Sequence, residues 1–87
     1  MTTWRYQAVW RECTGYLAGE RYHTICVVHL DDAGRLEYWS ENPEVTASGD
    51  SLEELQRDLG RMCQACRDWE PVAFERLRPG MTFKRRS

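Results

Sequence analysis

Cysteines are the residues whose type and spacing most invite chemistry. Cys63 and Cys66 form a Cys-x-x-Cys pair, a spacing shared by thiol redox motifs and zinc knuckles. Redox pairs lie where a helix begins, because the helix dipole lowers the thiol pKa there. This pair falls near the end of a long helical pattern, which disfavours a redox site. Zinc would need further ligands, and the other candidates form no second tight knuckle: Cys13, His23, Cys26 and His29. We therefore expect Cys63 and Cys66 to be small apolar residues on the inner face of a helix, with no metal and no cofactor.

The histidines and hydroxyl residues do not assemble an enzyme motif. His23 and His29 lie in one predicted strand, about 20 Å apart, which is too far for a shared metal ion. The sequence contains no G-x-S-x-G elbow, Walker loop, H-E-x-x-H pair or dinucleotide fingerprint. We expect a protein that is not an enzyme.

Composition limits the class of protein. The 87 residues suffice for one small domain, and 14 acidic against 12 basic residues give a net charge of -2. That balance disfavours a broadly basic nucleic-acid binder. Apolar runs fall short of the roughly 18 residues of a membrane span, and the first residues lack a secretion signal. We expect a cytoplasmic protein without a membrane partner.

Three strands are predicted in the first half. Residues 4–11 alternate, with Trp4, Tyr6, Ala8 and Trp10 on one face and Arg5, Gln7, Val9 and Arg11 on the other. Residues 21–30 are rich in β-branched side chains, and residues 36–40 return after a tight turn at Asp31-Asp32-Ala33-Gly34. Asn42-Pro43 ends the third strand, because proline cannot donate to a ladder.

A helix is predicted next, and its signal is the clearest in the chain. Asp50 or Ser51 can cap it, and Glu53 or Glu54 completes a capping box. Apolar residues then recur at steps of three and four on a face of about 120°: Leu52, Leu55, Leu59, Met62, Cys63, Cys66 and Trp69. Gly60 lies at the edge of this stripe, where it would allow the helix to approach the sheet closely. Pro71 ends the helix.

These elements predict an α+β fold in which one amphipathic helix packs on one face of a three- to four-stranded antiparallel sheet (β-β-β-α-(β)). We expect the core to join Tyr6, Ala8, Cys26, Val28 and Tyr38 of the sheet to Leu55, Leu59, Met62 and Cys66 of the helix. Residues 72–77 are predicted as a short strand at the sheet edge. The domain would comprise residues 1–77, and residues 78–87 a flexible basic tail.

The order of elements and one segment carry a family resemblance. Three strands followed by Pro43-x-x-x-x-x-Gly49-Asp50-Ser51-Leu52-Glu53-Glu54-Leu55 resemble the single-domain HicB-like family of small bacterial proteins. The resemblance spans about residues 4–70. It implies the fold above, and for the short members of the family it implies no particular chemistry. HicB antitoxins bind a small RNA-cleaving toxin and carry a second, DNA-binding domain, which we do not expect here. Glu41-Asn42-Pro43-Glu44 stands where they have a Pro-Asp-Leu-Pro-Gly type of segment.

Two kinds of binding remain open. The first is a protein-interaction or dimer surface formed by Trp10 and Trp39 with Val9 and Val27, rimmed by Arg5, Arg11 and Glu37. The alternative for these two tryptophans is that they complete the core. The second is single-stranded nucleic-acid binding through the aromatic first strand and the basic tail: Trp4, Tyr6, Lys84, Arg85 and Arg86. The nine acids between residues 31 and 58 count against the second. We favour a non-catalytic interaction or regulatory module.

Overall fold

The structure, a computed structural model, describes residues 2–40 and 46–87 and leaves the side chain of Leu17 undescribed. Its strands are β1 (Thr3–Glu12), β2 (Arg21–Leu30), β3 (Leu36–Trp39) and β4 (Val72–Ala73), and its helix is α1 (Leu52–Asp68). Short 3-10 turns cover Gly15–Leu17 and Phe74–Arg76. The predicted strand end at Asn42-Pro43, and with it Pro43 of the family resemblance, lies outside the described residues.

The described strands form a four-stranded sheet in the order β3-β2-β1-β4. β1 pairs with β2 antiparallel along its whole length, from Thr3 opposite Leu30 to Glu12 opposite Arg21. The predicted turn between β2 and β3 is confirmed, since Asp31 Oδ1 accepts hydrogen bonds from the backbone N–H groups of Ala33 and Arg35. The α+β class with one helix is confirmed as well. β4 pairs parallel to β1, which makes the sheet mixed.

The two faces of the sheet carry separate cores. Tyr6 packs with Met62 and Ala65 of α1, and Ile25 and Val27 of β2 lie against this cluster. The expectation that Cys26 and Val28 share the helix side is wrong, although both are fully buried. Residues paired across antiparallel strands point to the same face, and Tyr6 pairs with Val27.

The second core lies on the other face of the sheet. Its buried residues are Val9, Cys26, Val28, Leu30, Leu36 and Leu77, and Met81 and Phe83 pack against them. Residues 78–87 therefore contact the sheet, whereas the sequence predicts a flexible tail. Backbone hydrogen bonds join Gly80 to Leu36 and Glu70 to Lys84. The apolar side chains of Met81 and Phe83 supply the reason, because they cover a face that α1 leaves open.

Helix α1 starts as predicted. Ser51 caps it by accepting a hydrogen bond from the backbone N–H of Glu54, whose carboxylate in turn accepts from the N–H of Asp50. The helix then buries only Met62 and Ala65. Leu59, expected in the core, is 51% exposed, because the apolar stripe is wider than the strip of α1 that touches the sheet. Gly60 is exposed too and allows no closer approach to the sheet. Tyr38, also expected in the core, is exposed and stacks on His29.

Candidate functional site

An apolar surface runs along one side of α1, and we call it the leucine flank: Leu52, Leu55, Leu59, Cys63 and Cys66. Leu52 is 70% exposed and Leu59 is 51% exposed, and Cys63 is exposed as well. Leu55 and Cys66 are half-buried and lie nearer the sheet. The helical repeat places the five side chains on one side, so they form a continuous strip. An exposed apolar strip of this kind is typical of an interface.

The leucine flank continues onto the sheet. Cys66 borders an open cavity of about 320 Å³ whose other walls are Ala8, His23, Thr24 and Ile25. The apolar surface is therefore a shallow groove between the helix and β2.

Charges differ between the two ends of the flank. Glu53 and Glu54 lie in the first turn of α1, and Arg67 lies in the last turn. These positions suit the helix dipole, which favours acids at the N-terminus and bases at the C-terminus. They make the first turn acidic, whereas Arg67 and Asp68 leave the last turn close to neutral.

The tryptophan patch predicted from the sequence does not form as one surface. Trp39 packs against the core of Val9, Cys26 and Val28 on one face of the sheet. Strand alternation puts Trp10 on the opposite face, where it lies under the guanidinium of Arg21 at 4.0 Å. Val9 is fully buried, so it cannot contribute to an exposed patch.

The arginines assigned to that patch also have other neighbours. Arg11 forms an ion pair with Glu75 at 2.9 Å and lies over the Phe74 ring. Arg5 stacks on Trp69, with its guanidinium carbon 3.9 Å from the ring centroid. Alternation puts both arginines on the Trp39 face, away from Trp10.

The residues of the second binding hypothesis lie closer together. Trp4 and Tyr6 contact edge to face, with ring centroids 5.4 Å apart, and both line an open cavity of about 460 Å³. Trp69 lines the same cavity, and the Arg85 guanidinium lies 4.6 Å from its ring centroid. The backbone of Lys84 accepts a hydrogen bond from Glu70, and Arg86 Nη1 donates to the carbonyl of Cys66. The chain end thus docks beside the helix C-terminus.

Arg5 has an unusual environment for a cation. Its Nη1 donates to the carbonyl of Tyr6 and to Gln7 Oε1. Its Nε and Nη2 are buried and find no hydrogen-bond acceptor in the described part of the chain. Burial, and then repulsion by Arg85, lowers the pKa of Arg5 to about 10. The aromatic rings of Trp69 and Phe83 offset part of the cost of burying this charge.

A second polar contact joins the sheet to the helix. The Tyr6 hydroxyl donates to Asp58 Oδ1, and Asp58 Oδ2 accepts from the backbone N–H of Ser48. Burial, and then this hydrogen bond, raises the pKa of Tyr6 to about 12. Conversely, the bonds from Tyr6 and Ser48 hold the pKa of Asp58 below its ordinary value.

The cysteines differ in their surroundings: Cys66 shares a cavity with His23, whereas Cys26 lies in the core on the other face of the sheet. Cys63 is exposed and Cys66 half-buried, which differs from the inner-face position expected for both. Burial raises the pKa of the Cys26 thiol to about 11. Within residues 2–40 and 46–87, we find no cluster of three or more His, Cys, Asp or Glu side chains arranged to hold a metal. In the same ranges, no helix has the length and apolar character needed to cross a bilayer.

Comparison with known proteins adds no relative: no family model, no curated protein and no solved structure matches this chain. The HicB-like resemblance therefore stays a prediction. The sequence predicts Leu59 in the core and Leu52 on the apolar stripe of the helix, and it does not indicate Trp69 as the ring beneath two arginines. The exposure of Leu52 and Leu59 has a signal in the sequence. The stripe contains seven apolar residues, which is broader than one contact with a sheet requires in a domain this small.

Proposed function

We propose that this protein is a non-catalytic interaction module that associates with a second copy of itself through the leucine flank. The exposure of Leu52 and Leu59 on a helix whose other side already packs on the sheet carries the proposal. Burying both side chains would remove a large apolar area from water, at about 25 cal/mol for each Å². A small domain has little other apolar surface with which to stabilise itself.

A second copy fits the flank because the flank is self-complementary. Leu52 and Cys66 lie equally far from Leu59, on either side of it along the helix. If two copies of α1 pair antiparallel with the Leu59 side chains at the twofold axis, each Leu52 meets the partner's Cys66. A twofold interface requires this kind of match, in which the same patch serves both copies.

Charge supports the same arrangement. Antiparallel pairing brings Glu53 in the first turn of each helix beside Arg67 in the last turn of the other. Parallel pairing would put like charges together at both ends.

The proposed function is still that of a non-catalytic interaction module, as predicted from the sequence. The interface is now the leucine flank and not the tryptophan patch. In a HicB-like module the flank would set the assembly through which the protein regulates a partner. A cytoplasmic location agrees with four cysteines that are all free thiols.

Light scattering during size exclusion tests the proposal. We expect the wild type to shift from monomer to dimer as its concentration rises, and Leu59→Glu to stay monomeric with an unchanged circular dichroism spectrum. Tyr16→Glu is the matched control, because Tyr16 is fully exposed and lies far from α1 in the chain. A wild type that stays monomeric at high concentration, or a Leu59→Glu variant that dimerises normally, would refute the proposal.

A further inference from the structure

The cavity beside β1 has the size and walls of a ligand site. Its volume is about 460 Å³, within the range of roughly 300–1,000 Å³ that small-molecule sites occupy. Its lining combines three aromatic residues with two arginines, one glutamine and one aspartate: Trp4, Arg5, Tyr6, Arg61, Gln64, Ala65, Asp68 and Trp69. It lies on the other side of α1 from the leucine flank, so its occupation is independent of the proposed self-association.

The positive charges around this cavity outnumber the acidic ones. Arg5 and Arg85 both lie over the Trp69 ring, where their like charges repel. The Nε and Nη2 atoms of Arg5 are buried without an acceptor, so Arg5 adds positive charge beside the cavity but no donor that a ligand can reach. Arg61 is exposed on the rim of the same cavity. The lining contains two arginines and one acid, Asp68, so its net charge is positive.

The aromatic wall is available to a flat ring. Trp4 is 50% exposed, and its edge-to-face contact with Tyr6 holds its orientation. An exposed indole held in place can stack on a nucleobase of any type. Gln64 donates a hydrogen bond to Asp68, and these polar groups lie at the same cavity, where they can contact the edge of such a base.

We propose that this cavity binds one nucleotide unit, with its base stacked on Trp4 and its phosphate held by Arg61. An exposed aromatic surface beside an exposed guanidinium matches a ligand that carries both a flat ring and a phosphate. The unit belongs either to a free mononucleotide or to a single-stranded nucleic acid, since both present the same chemistry.

Titration of the full chain separates these sources. The tryptophan fluorescence is followed as adenosine monophosphate is added, and the anisotropy of a labelled short oligothymidylate is followed as protein is added. Saturable binding of the mononucleotide supports a nucleotide site, and binding of the oligonucleotide alone supports a nucleic-acid site. In either case we expect binding to weaken as the salt concentration rises.

Variants connect the binding to the cavity. Trp4→Ala and Arg61→Ala should each weaken it about tenfold, because one loses the stacked base and the other a phosphate contact. Arg76→Ala is the matched control, as Arg76 is exposed and lies outside this cavity. Absence of binding by both probes, or equal losses in Arg61→Ala and Arg76→Ala, would overturn the inference. The Leu59→Glu variant should bind the nucleotide probes as the wild type does. A failure of self-association would therefore leave nucleotide binding unchanged, and the two proposals can fail independently.

Discussion

The guanidinium carbon of Arg5 lies 3.9 Å from the centroid of the Trp69 ring, so a cation of the first strand stacks on the residue that follows the helix. The guanidinium carbon of Arg85 lies 4.6 Å from the same ring centroid, and that of Arg5 lies 5.0 Å from the centroid of the Phe83 ring. This cluster joins β1, the end of α1 and the last residues of the chain. It stabilises the fold mainly through packing, because the charge of Arg5 lacks an acidic partner among the described hydrogen bonds.

Substitution of Arg5 separates packing from charge. Arg5→Ala should lower the free energy of unfolding by about 1–3 kcal/mol, because the stacked side chain is lost. Arg5→Met should recover at least half of that loss, because methionine refills the space between the rings without a buried charge. Urea denaturation measures both values, with Arg76→Ala as a control expected to stay within about 0.5 kcal/mol of wild type. An Arg5→Ala variant as stable as that control would show that the stacking contributes nothing.

Tyr6 should lose its proton at a higher pH than an ordinary tyrosine. Its pKa of about 12, against the ordinary 10.0, means that the folded state favours the neutral phenol. The stability it contributes is complete below pH 10 and falls as the pH rises from 10 toward 12. Absorbance of the phenolate, compared between wild type and Tyr6→Phe, identifies the delayed group. Asp58→Asn should lower the pKa of Tyr6 only in part, because burial is the larger cause.

The hydrogen bond between Tyr6 and Asp58 also makes the stability depend on pH in the acid range, where stability falls as the pH falls. The pKa of Asp58 is depressed below 3.8 by the hydrogen bond from Tyr6 and then by the N–H of Ser48. The stability that Asp58 adds is therefore present above pH 3.8 and is lost as the pH falls through its folded pKa. Tyr6→Phe should raise the pKa of Asp58, which carboxyl chemical shifts in an NMR titration would report. An unchanged shift profile for Asp58 in that variant would mean that the hydrogen bond does not form in solution.

Removal of residues 79–87 should destabilise the whole domain. Met81 and Phe83 cover the core of Val9, Cys26 and Val28, and their loss would expose that face of the sheet to water. We expect a lower melting temperature and increased binding of a hydrophobic dye. Removal of Ser87 alone serves as the control. If the truncated chain had the same melting temperature as the wild type, residues 79–87 would not stabilise the domain, as expected for a flexible tail.

Thiol reactivity should rank the cysteines by their burial. Cys63 is exposed and should react at once with a thiol reagent, whereas Cys26 is fully buried and its pKa is about 11. Cys26 should react only when the protein unfolds, because both access and thiolate formation are restricted. Mass spectrometry of the partly labelled protein assigns each site. Early labelling of Cys26 in folded protein would contradict the described core.

Periodicity was sufficient to predict the local elements and insufficient to assign their faces. The strand β1 and the Ser51 cap of α1 depend on nearby residues, and the structure confirms both, although β1 is buried on both faces from Tyr6 to Val9. The face of β2 depends on its register with β1, because a shift by one residue moves every side chain to the other side. Residues 21–30 are apolar on both faces, so the pattern could not indicate that Val27, not Val28, meets the helix.

The candidate sites were harder to predict than the fold. The stripe from Leu52 to Trp69 was recognised, but its division between sheet contact and exposed flank is a matter of tertiary packing. The sequence identified Trp4, Tyr6 and Arg85 as candidates together. It did not reveal that Trp69 would lie between the helix and the chain end, because that contact joins residues far apart in sequence.

Disulfide formation between two copies tests the antiparallel pairing of α1 most directly. With Leu59 at the twofold axis, position 56 of one copy lies beside Cys63 of the other, whereas the two Cys63 residues lie about 12 Å apart along the helices. Oxidised Gln56→Cys protein should form a disulfide-linked dimer through positions 56 and 63, as identified by peptide mass spectrometry. The same variant carrying Cys63→Ser, and the wild type, should not. A Cys63–Cys63 link in the wild type, or the absence of any link in Gln56→Cys at concentrations where the protein dimerises, would contradict this account.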